Sequence, residues 1–251
     1  VFDTGFHETM PAEAAVYPVP ARWRDEWGIH RYGFHGLSVA WSARRAPELL
    51  DRGDRELRLV VCHLGGGCSV SGVRDGRSVD TTMGFSPLEG VPMATRSGSV
   101  DPGALTYLLR EHELSVAELE EALNLESGLR GLAGGAGDMA ELVEAAERGD
   151  ADSELAIEVF AHRLAAAVAA MAASVGGIDA LVFTAGIGEN SAPVRDRICG
   201  RLRFLGVELD LERNRTAEPD CQIAASGSAV RLLVIRAREE LVAAEAARAL
   251  L

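Results

Sequence analysis

Near residue 60 the chain reads LVVCHLGGGCSVSGVRDG, from Leu59 to Gly76. An apolar run ends at His63 and Leu64, and three consecutive glycines, Gly65, Gly66 and Gly67, follow. Bare backbone of this kind costs conformational entropy on folding, so it persists where something must lie close against the main chain. A phosphate held by backbone N–H groups is one such visitor; a bulged hairpin turn is the purely structural alternative. A second glycine-bearing stretch, TAGIGEN (Thr184 to Asn190), also ends an apolar run and precedes a helical segment. Two strand-ending glycine turns could close on one nucleotide from two sides. The alternative for the second is an ordinary βα loop.

Five side chains could add chemistry to these turns. Asp3 follows a strand-like start, where a carboxylate could act as general base or metal ligand, or shape an Asx turn. His35 lies in RYGFHG between Gly33 and Gly36 and could donate to a phosphate oxygen, or be satisfied by local backbone. His63 would point at whatever the glycines hold, or serve as a core histidine. Arg96, among the small residues of ATRSGSVDP, has room to aim its planar fork at phosphate or carboxylate; it could equally face solvent. Glu239, with Glu240, opens the last helix, where the helix dipole favours carboxylates and Mg²⁺ could be held directly or through water.

The elements that must position these residues are legible in outline. Helical spacing covers residues 38–50. Strands are expected over 57–64, 68–73 and 77–81, with Asp75-Gly76 as a hairpin turn, giving an antiparallel meander. Turn chemistry dominates 83–102. Asp101 N-caps a helix with Pro102 at its first position, and Ser115 to Glu118 forms a capping box. Asp138 caps a further helix to Arg148, and a long helix runs from Ser153 to Val175. The rest reads strand (178–184), helix (192–202), strand (230–235) and helix (238–250). This order predicts an α/β fold with a mixed sheet.

Composition limits the function classes. The 251 residues carry a net charge of −13 and no lysine. Such a chain lacks the basic footprint of a nucleic-acid binder. It also cannot use a Walker-A loop or the protein-kinase strand lysine. Cys62, Cys68, Cys199 and Cys221 form no CxxC pair or zinc spacing, and scattered thiols point to a reducing cytoplasm. The alanine-rich segment Leu164–Val175 is too short and weakly apolar for a membrane span and is expected to pack as a helix. The abrupt start VFDTGFH leads to the expectation that the chain is the C-terminal portion of something longer.

Together, VFDTGFHETMP, RYGFHG, VVCHLGGGCSV, SVDTTMGFSPLEG, TRSG with its following VDP, LVFTAGIGENSAPVR and EEL resemble the acetate/propionate kinase family of the actin-like ATPase superfamily. They span Val1 to Leu241 in the family's order. The resemblance implies a ribonuclease-H-like lobe, with residues 51–251 as the nucleotide-binding lobe. Residues 1–50 would be a connection to an incomplete second lobe. It implies Mg²⁺-dependent, reversible phosphoryl transfer between ATP and acetate, giving acetyl phosphate and ADP, in a cytoplasmic homodimer with no membrane or nucleic-acid partner. Asp3 would match the catalytic acid/base, and His35 and Arg96 the groups that stabilise the transition state. His63 to Gly67, Asp138, Met139, Ala140 and Gly186, Ile187, Gly188, Glu189 and Asn190 would match the nucleotide-binding segments. Glu239 would match the Mg²⁺ ligand, and Phe34 and Pro87 the acyl pocket.

The chain departs from the family pattern at several points. Gly66 stands where asparagine is usual, Leu37 and Val39 replace threonine and histidine, and Ser99 replaces aspartate. Met139-Ala140 replaces a pair ending in arginine, and Ala237-Arg238 replaces threonine-asparagine. The N-terminal segment of the family, absent here, contributes further substrate and metal contacts. Weak nucleotide binding and poor turnover are therefore expected of these 251 residues alone. A propionate or butyrate kinase and a catalytically dead dimerising remnant are the alternatives.

Overall fold

The apolar run before the triple glycine is a central strand, and its burial explains its composition. The computed structural model describes residues 2–52, 57–135 and 137–248. A 3-10 turn at Gly5–Thr9 and short helices α1 (Ala12–Ala15) and α2 (Ala21–Asp25) lead to α3 (Gly36–Leu49). Strands β1 (Arg58–Leu64), β2 (Cys68–Arg74) and β3 (Arg77–Thr81) form the expected antiparallel meander. Helices α4 (Pro102–Glu111), α5 (Val116–Glu121), α6 (Gly128–Leu132), α7 (Met139–Glu147) and α8 (Ala151–Val175) follow. The chain then returns to the sheet through β4 (Ala180–Thr184), α9 (Ala185–Asn190), α10 (Ala192–Arg201), α11 (Leu211–Arg215), β5 (Cys221–Gln222), β6 (Arg231–Val234) and α12 (Glu239–Arg248).

The six strands lie in the order β3-β2-β1-β4-β6-β5. Strand β1 runs parallel to β4, and β4 parallel to β6, so the sheet is mixed, as expected. Every residue of β1 from Leu59 to Leu64 is buried, because helices cover both faces. Val60, Cys62 and Leu64 pack with Phe160, Leu164 and Val168 of α8. Leu59 and Val61 pack with Val39, Ala43 and Ala46 of α3. A continuous apolar strand between two helical layers brings His63 and the glycines to the carboxyl edge of the sheet, where open α/β folds place their ligands.

The capping signals are realised. The Asp101 carboxylate accepts from the Gly103 N–H at 2.8 Å, and Ser115 with Glu118 forms the full capping box. Helix α8 is capped by Asp150, which accepts from the Ser153 N–H, and it ends at Gly176 with φ 79°. This helix revises the reading of Leu164–Val175. That segment belongs to a 25-residue helix which is, by length and composition, long enough to cross a membrane. Here Ile157, Phe160, Leu164 and Val168 are buried against the sheet.

Other expectations are corrected. TAGIGEN is not a glycine turn before a helix: Ala185–Asn190 is itself helix α9, running directly off β4. The sharp bend falls on Ala185, at φ 66°, and the Glu189 carboxylate folds back to accept the Ala185 N–H at 3.0 Å. Both glycines lie inside the helix. Asp3 sits in a turn rather than at a strand end, and Val1 lies outside the described residues. The stretches expected to be irregular at 3–17 and 22–36 contain the 3-10 turn, α1 and most of α2.

Candidate functional site

The triple glycine is a tight connection in which the three carbonyls are all engaged. Gly65 O accepts the Cys68 thiol at 3.3 Å. Gly66 O accepts the Ala94 N–H at 3.3 Å, and Gly67 O accepts the Gly65 N–H at 3.0 Å. The Cys68 pKa is pushed up to about 12 by burial, so the group remains a thiol donor. Among the described residues, the N–H groups of Gly66 and Gly67 have no acceptor, and Gly66 is exposed. Two adjacent, unpaired backbone donors at a strand end make an anion-binding concavity.

Three side chains converge on that concavity. His35 Nε2 and one Arg96 guanidinium nitrogen lie 3.2 and 3.4 Å from where a Cβ on Gly67 would stand. The absence of that Cβ keeps the space between them open. Arg96 is held from behind by the Pro87 carbonyl, to which it donates at 2.9 Å. The rings of His35 and His63 stack with centroids 3.9 Å apart and planes 19° apart. His35 Nδ1 hydrogen-bonds Ser69 Oγ at 3.0 Å, and His63 Nδ1 hydrogen-bonds Ser38 Oγ at 2.9 Å. Both Nε2 atoms are thereby left toward the glycines, with that of His63 3.8 Å from the Gly65 Cβ position.

Both imidazoles are neutral at physiological pH. Burial first, then the Arg96 and His7 charges, bring the His35 pKa down to about 4 against the opposing pull of Asp3. Burial and then His35 bring His63 down to about 3. A neutral ring offers one N–H and one bare nitrogen, and with Nδ1 engaged by a serine hydroxyl its Nε2 is the atom that faces the turn. At this turn, charge comes from Arg96 and the two rings offer hydrogen bonds.

Asp3 reaches the site through backbone. Its carboxylate accepts the His35 N–H at 2.7 Å and the Leu37 N–H at 3.3 Å, and its carbonyl accepts the Gly36 N–H at 2.8 Å. It therefore caps α3 and holds His35 in the left-handed region at φ 58°, a conformation unfavourable for a residue bearing a side chain. Phe34, next in the chain, is packed on the core, and its carbonyl accepts from His7 at 3.0 Å. Glu239 at the start of α12 stands 3.9 Å from His63 Nδ1. Its pKa is raised by burial first, then by Asp3 and Glu240.

Beside the turn lies a cleft of about 510 Å³, lined by Gly65, Gly66, Asp138, Met139, Ala140, Gly186, Ile187 and Asn190 among others. It unites the glycine turn, the start of α7 and one side of α9. A larger cavity of about 730 Å³ between α3 and the β-hairpin contains none of the candidate residues. Leu64 and Gly188 are buried behind the cleft. Asp138 caps α7, its carboxylate accepting the Ala140 and Glu141 N–H groups at 2.8 and 3.2 Å. Asn190 donates to the Gly186 carbonyl at 2.8 Å. Replacing Asp138 by Ala is expected to lower stability by about 1 kcal/mol. In thermal unfolding this appears as a fall in Tm of roughly 2–4 °C.

Among the described residues no three His, Cys, Asp or Glu side chains converge as a ready-made metal cage. Ser38 and Ser69, which orient the two histidines, escape a sequence reading because nothing local marks a serine as a partner for a ring 25 or 34 residues away.

The mixed sheet, helical on both faces with an anion-binding turn at its carboxyl edge, is the lobe of an actin-like α/β protein. Residues 1–245 match the model of the acetokinase family. The chain is 52% identical over 240 residues to the acetate kinase of Gloeobacter violaceus, covering 96% of this chain and 59% of that protein. It is 53% identical over its full length to the acetate kinase of a Synechococcus strain, covering 62% of that protein. The crystal structure of Porphyromonas gingivalis acetate kinase superposes with a TM-score of 0.94 at 35% identity, over all of this chain and 63% of that one. A propionate kinase from Francisella tularensis superposes at 0.91 with 41% identity, over 96% of this chain and 62% of that one. The chain belongs to the acetokinase family. It spans about 60% of the length of the curated relatives it matches.

Proposed function

We propose that this chain is the nucleotide-binding lobe, residues 51–251 with residues 1–50 as its connection, of an acyl phosphotransferase acting on ATP and acetate. The observation that carries the reading is the pair of unpaired N–H groups at Gly66 and Gly67, faced by Arg96 and by the Nε2 atoms of His35 and His63. Phosphoryl transfer asks a protein mainly for positioning and charge neutralisation, and these are donors and a cation fixed before the ligand arrives. The turn would hold the β- and γ-phosphates. The cleft between Asp138–Ala140 and Gly186–Asn190 would take the nucleoside.

Arg96, anchored on the Pro87 carbonyl, would meet the transferred phosphoryl with charge, and His35 with a neutral N–H. Asp3, whose carboxylate accepts two backbone N–H groups, would hold His35 in place and position or deprotonate the acyl carboxyl. Phe34 and Pro87 flank the two transition-state groups and would line the acyl pocket. Glu239, crowded by Asp3 and Glu240, is a carboxylate that a cation would relieve. Mg²⁺ held there, directly or through water, would supply charge neutralisation to the phosphates. A propionate-type substrate is the second reading, favoured by the similarity to a solved propionate kinase.

A homodimer in the cytoplasm completes the proposal. Helix α4 has no buried residue, and Tyr107 and Val116 are 51% and 72% exposed, an apolar surface that a second copy would cover. Free thiols at all four cysteines fit a reducing compartment.

Calorimetric titration with MgADP is expected to give saturable but weak binding. Trapping acyl phosphate with hydroxylamine in the presence of MgATP and acetate is expected to give far less product than a full-length relative. Absence of saturable nucleotide binding would overturn the assignment of the cleft. Turnover equal to that of a full-length relative would overturn the expected dependence on a further segment.

A further inference from the structure

Arg195, on α10, is the largest fully buried side chain, 2% exposed. Its guanidinium donates to four oxygens: Asn214 Oδ1 at 2.7 Å, and the carbonyls of Asn214, Gly188 and Glu189 at 2.9 Å each. Asn214, itself buried, is fixed in turn by donating to the Ala192 carbonyl at 2.9 Å. No carboxylate pairs with Arg195 among the described residues. Burying a cation without a counter-charge is costly, so the position demands what only this group supplies. That demand comes from α9, six residues long, whose last carbonyls have no continuing helix to satisfy them. Two of these carbonyls, Gly188 and Glu189, are the ones that Arg195 takes.

Helix α9 is thus held at both ends. At its start, Glu189 Oε1 accepts the Ala185 N–H and, at 2.8 Å, the Ala237 N–H, two residues before Glu239. At its end, Arg195 ties it to α10 and α11. The side of α9 between these clamps, with Gly186, Ile187 and Asn190, forms one wall of the cleft. We infer that Arg195 is a positioning residue for nucleotide binding: it sets the pose of α9 from behind, touching no ligand, and so determines the width of the cleft. The inference rests on the nucleotide reading of that cleft.

The test uses Arg195→Lys, which keeps charge and most of the volume but loses the fork, and Arg195→Met, which loses all four bonds. Amide hydrogen exchange, the MgADP dissociation constant and Tm are measured on the whole chain. For Arg195→Lys, amides of residues 187–191 are expected to exchange about tenfold faster or more. Those of β1 and β4 should stay within about twofold, and MgADP affinity should fall by about tenfold. Arg195→Met should show the same pattern, larger. Uniformly faster exchange across the sheet, or failure of both variants to fold, would assign Arg195 to general stability and overturn the inference. Local acceleration with unchanged MgADP affinity would also overturn it. If the unmodified chain binds MgADP and both variants bind it equally, the inference fails alone; if the unmodified chain does not bind, the nucleotide reading fails and the inference with it.

Discussion

Lowering the pH from 7 to 5 is expected to remove roughly 2 kcal/mol of stability for each ring of the His35–His63 pair, about 4 kcal/mol in all. Both pKa values are depressed on folding, to about 4 and about 3 from an ordinary 6.5. Above pH 6.5 the rings are neutral in both states and nothing is lost. As the pH falls below 6.5 the unfolded chain takes up protons that the folded chain refuses, so stability declines until the folded values are reached. Burial drives both shifts. The Arg96 and His7 charges reinforce it at His35, and the nearby Asp3 only partly opposes it. Buried His7, also depressed, acts in the same direction. A domain holds about 5–15 kcal/mol in total, so the loss is a large share. Urea midpoints between pH 7 and 5 measure it. A double His35→Asn, His63→Asn variant should show a much flatter profile; equal slopes in the two proteins would refute the attribution.

Gly128→Ala is expected to cost about 3 kcal/mol or more and to dislodge Arg96. Gly128 opens α6 at φ 62°, and an added Cβ would stand 2.6 Å from the Arg96 carbonyl and closer still to that of Met93. Neither carbonyl is free to turn away. The Arg96 carbonyl accepts the Met93 N–H at 3.0 Å, and the Met93 carbonyl accepts the Leu129 N–H at 2.9 Å. The substitution therefore adds a backbone collision to the strain of a left-handed alanine. Gly134→Ala isolates the second contribution: its φ is 70° with none of the described residues within 4 Å of the added carbon, so about 1 kcal/mol is expected. Urea unfolding of the two variants measures the difference. Comparable losses would show that the collision contributes nothing, and unchanged MgADP affinity in Gly128→Ala would show that Arg96 had not moved.

The residues that the sequence singles out fall into two groups. Much of the local structure was legible, because its causes are local. The apolar run within 57–64 was expected to be a strand, Asp75-Gly76 a hairpin turn, and Asp101, Ser115 and Asp138 the caps of helices. Each follows from side-chain period, turn conformation or a hydroxyl or carboxylate within three residues of an orphan N–H. Three bare glycines after a buried strand likewise announced an opening in the backbone.

Tertiary structure decided what surrounds that opening. Asp3 meets the N–H groups of residues 35 and 37 across more than 30 residues of intervening chain. His35 and His63 stack only because α3 and β1 lie against each other. Helix α9 forms where glycine spacing indicated a turn, because Glu189 and Arg195 satisfy the two ends of a segment too short to be stable on its own. Hydrogen bonds, stacking and desolvation between residues distant in sequence leave no periodic trace in the chain. They appear once burial has removed water as the competing partner, and it is burial that keeps the two imidazoles neutral well below pH 6.5.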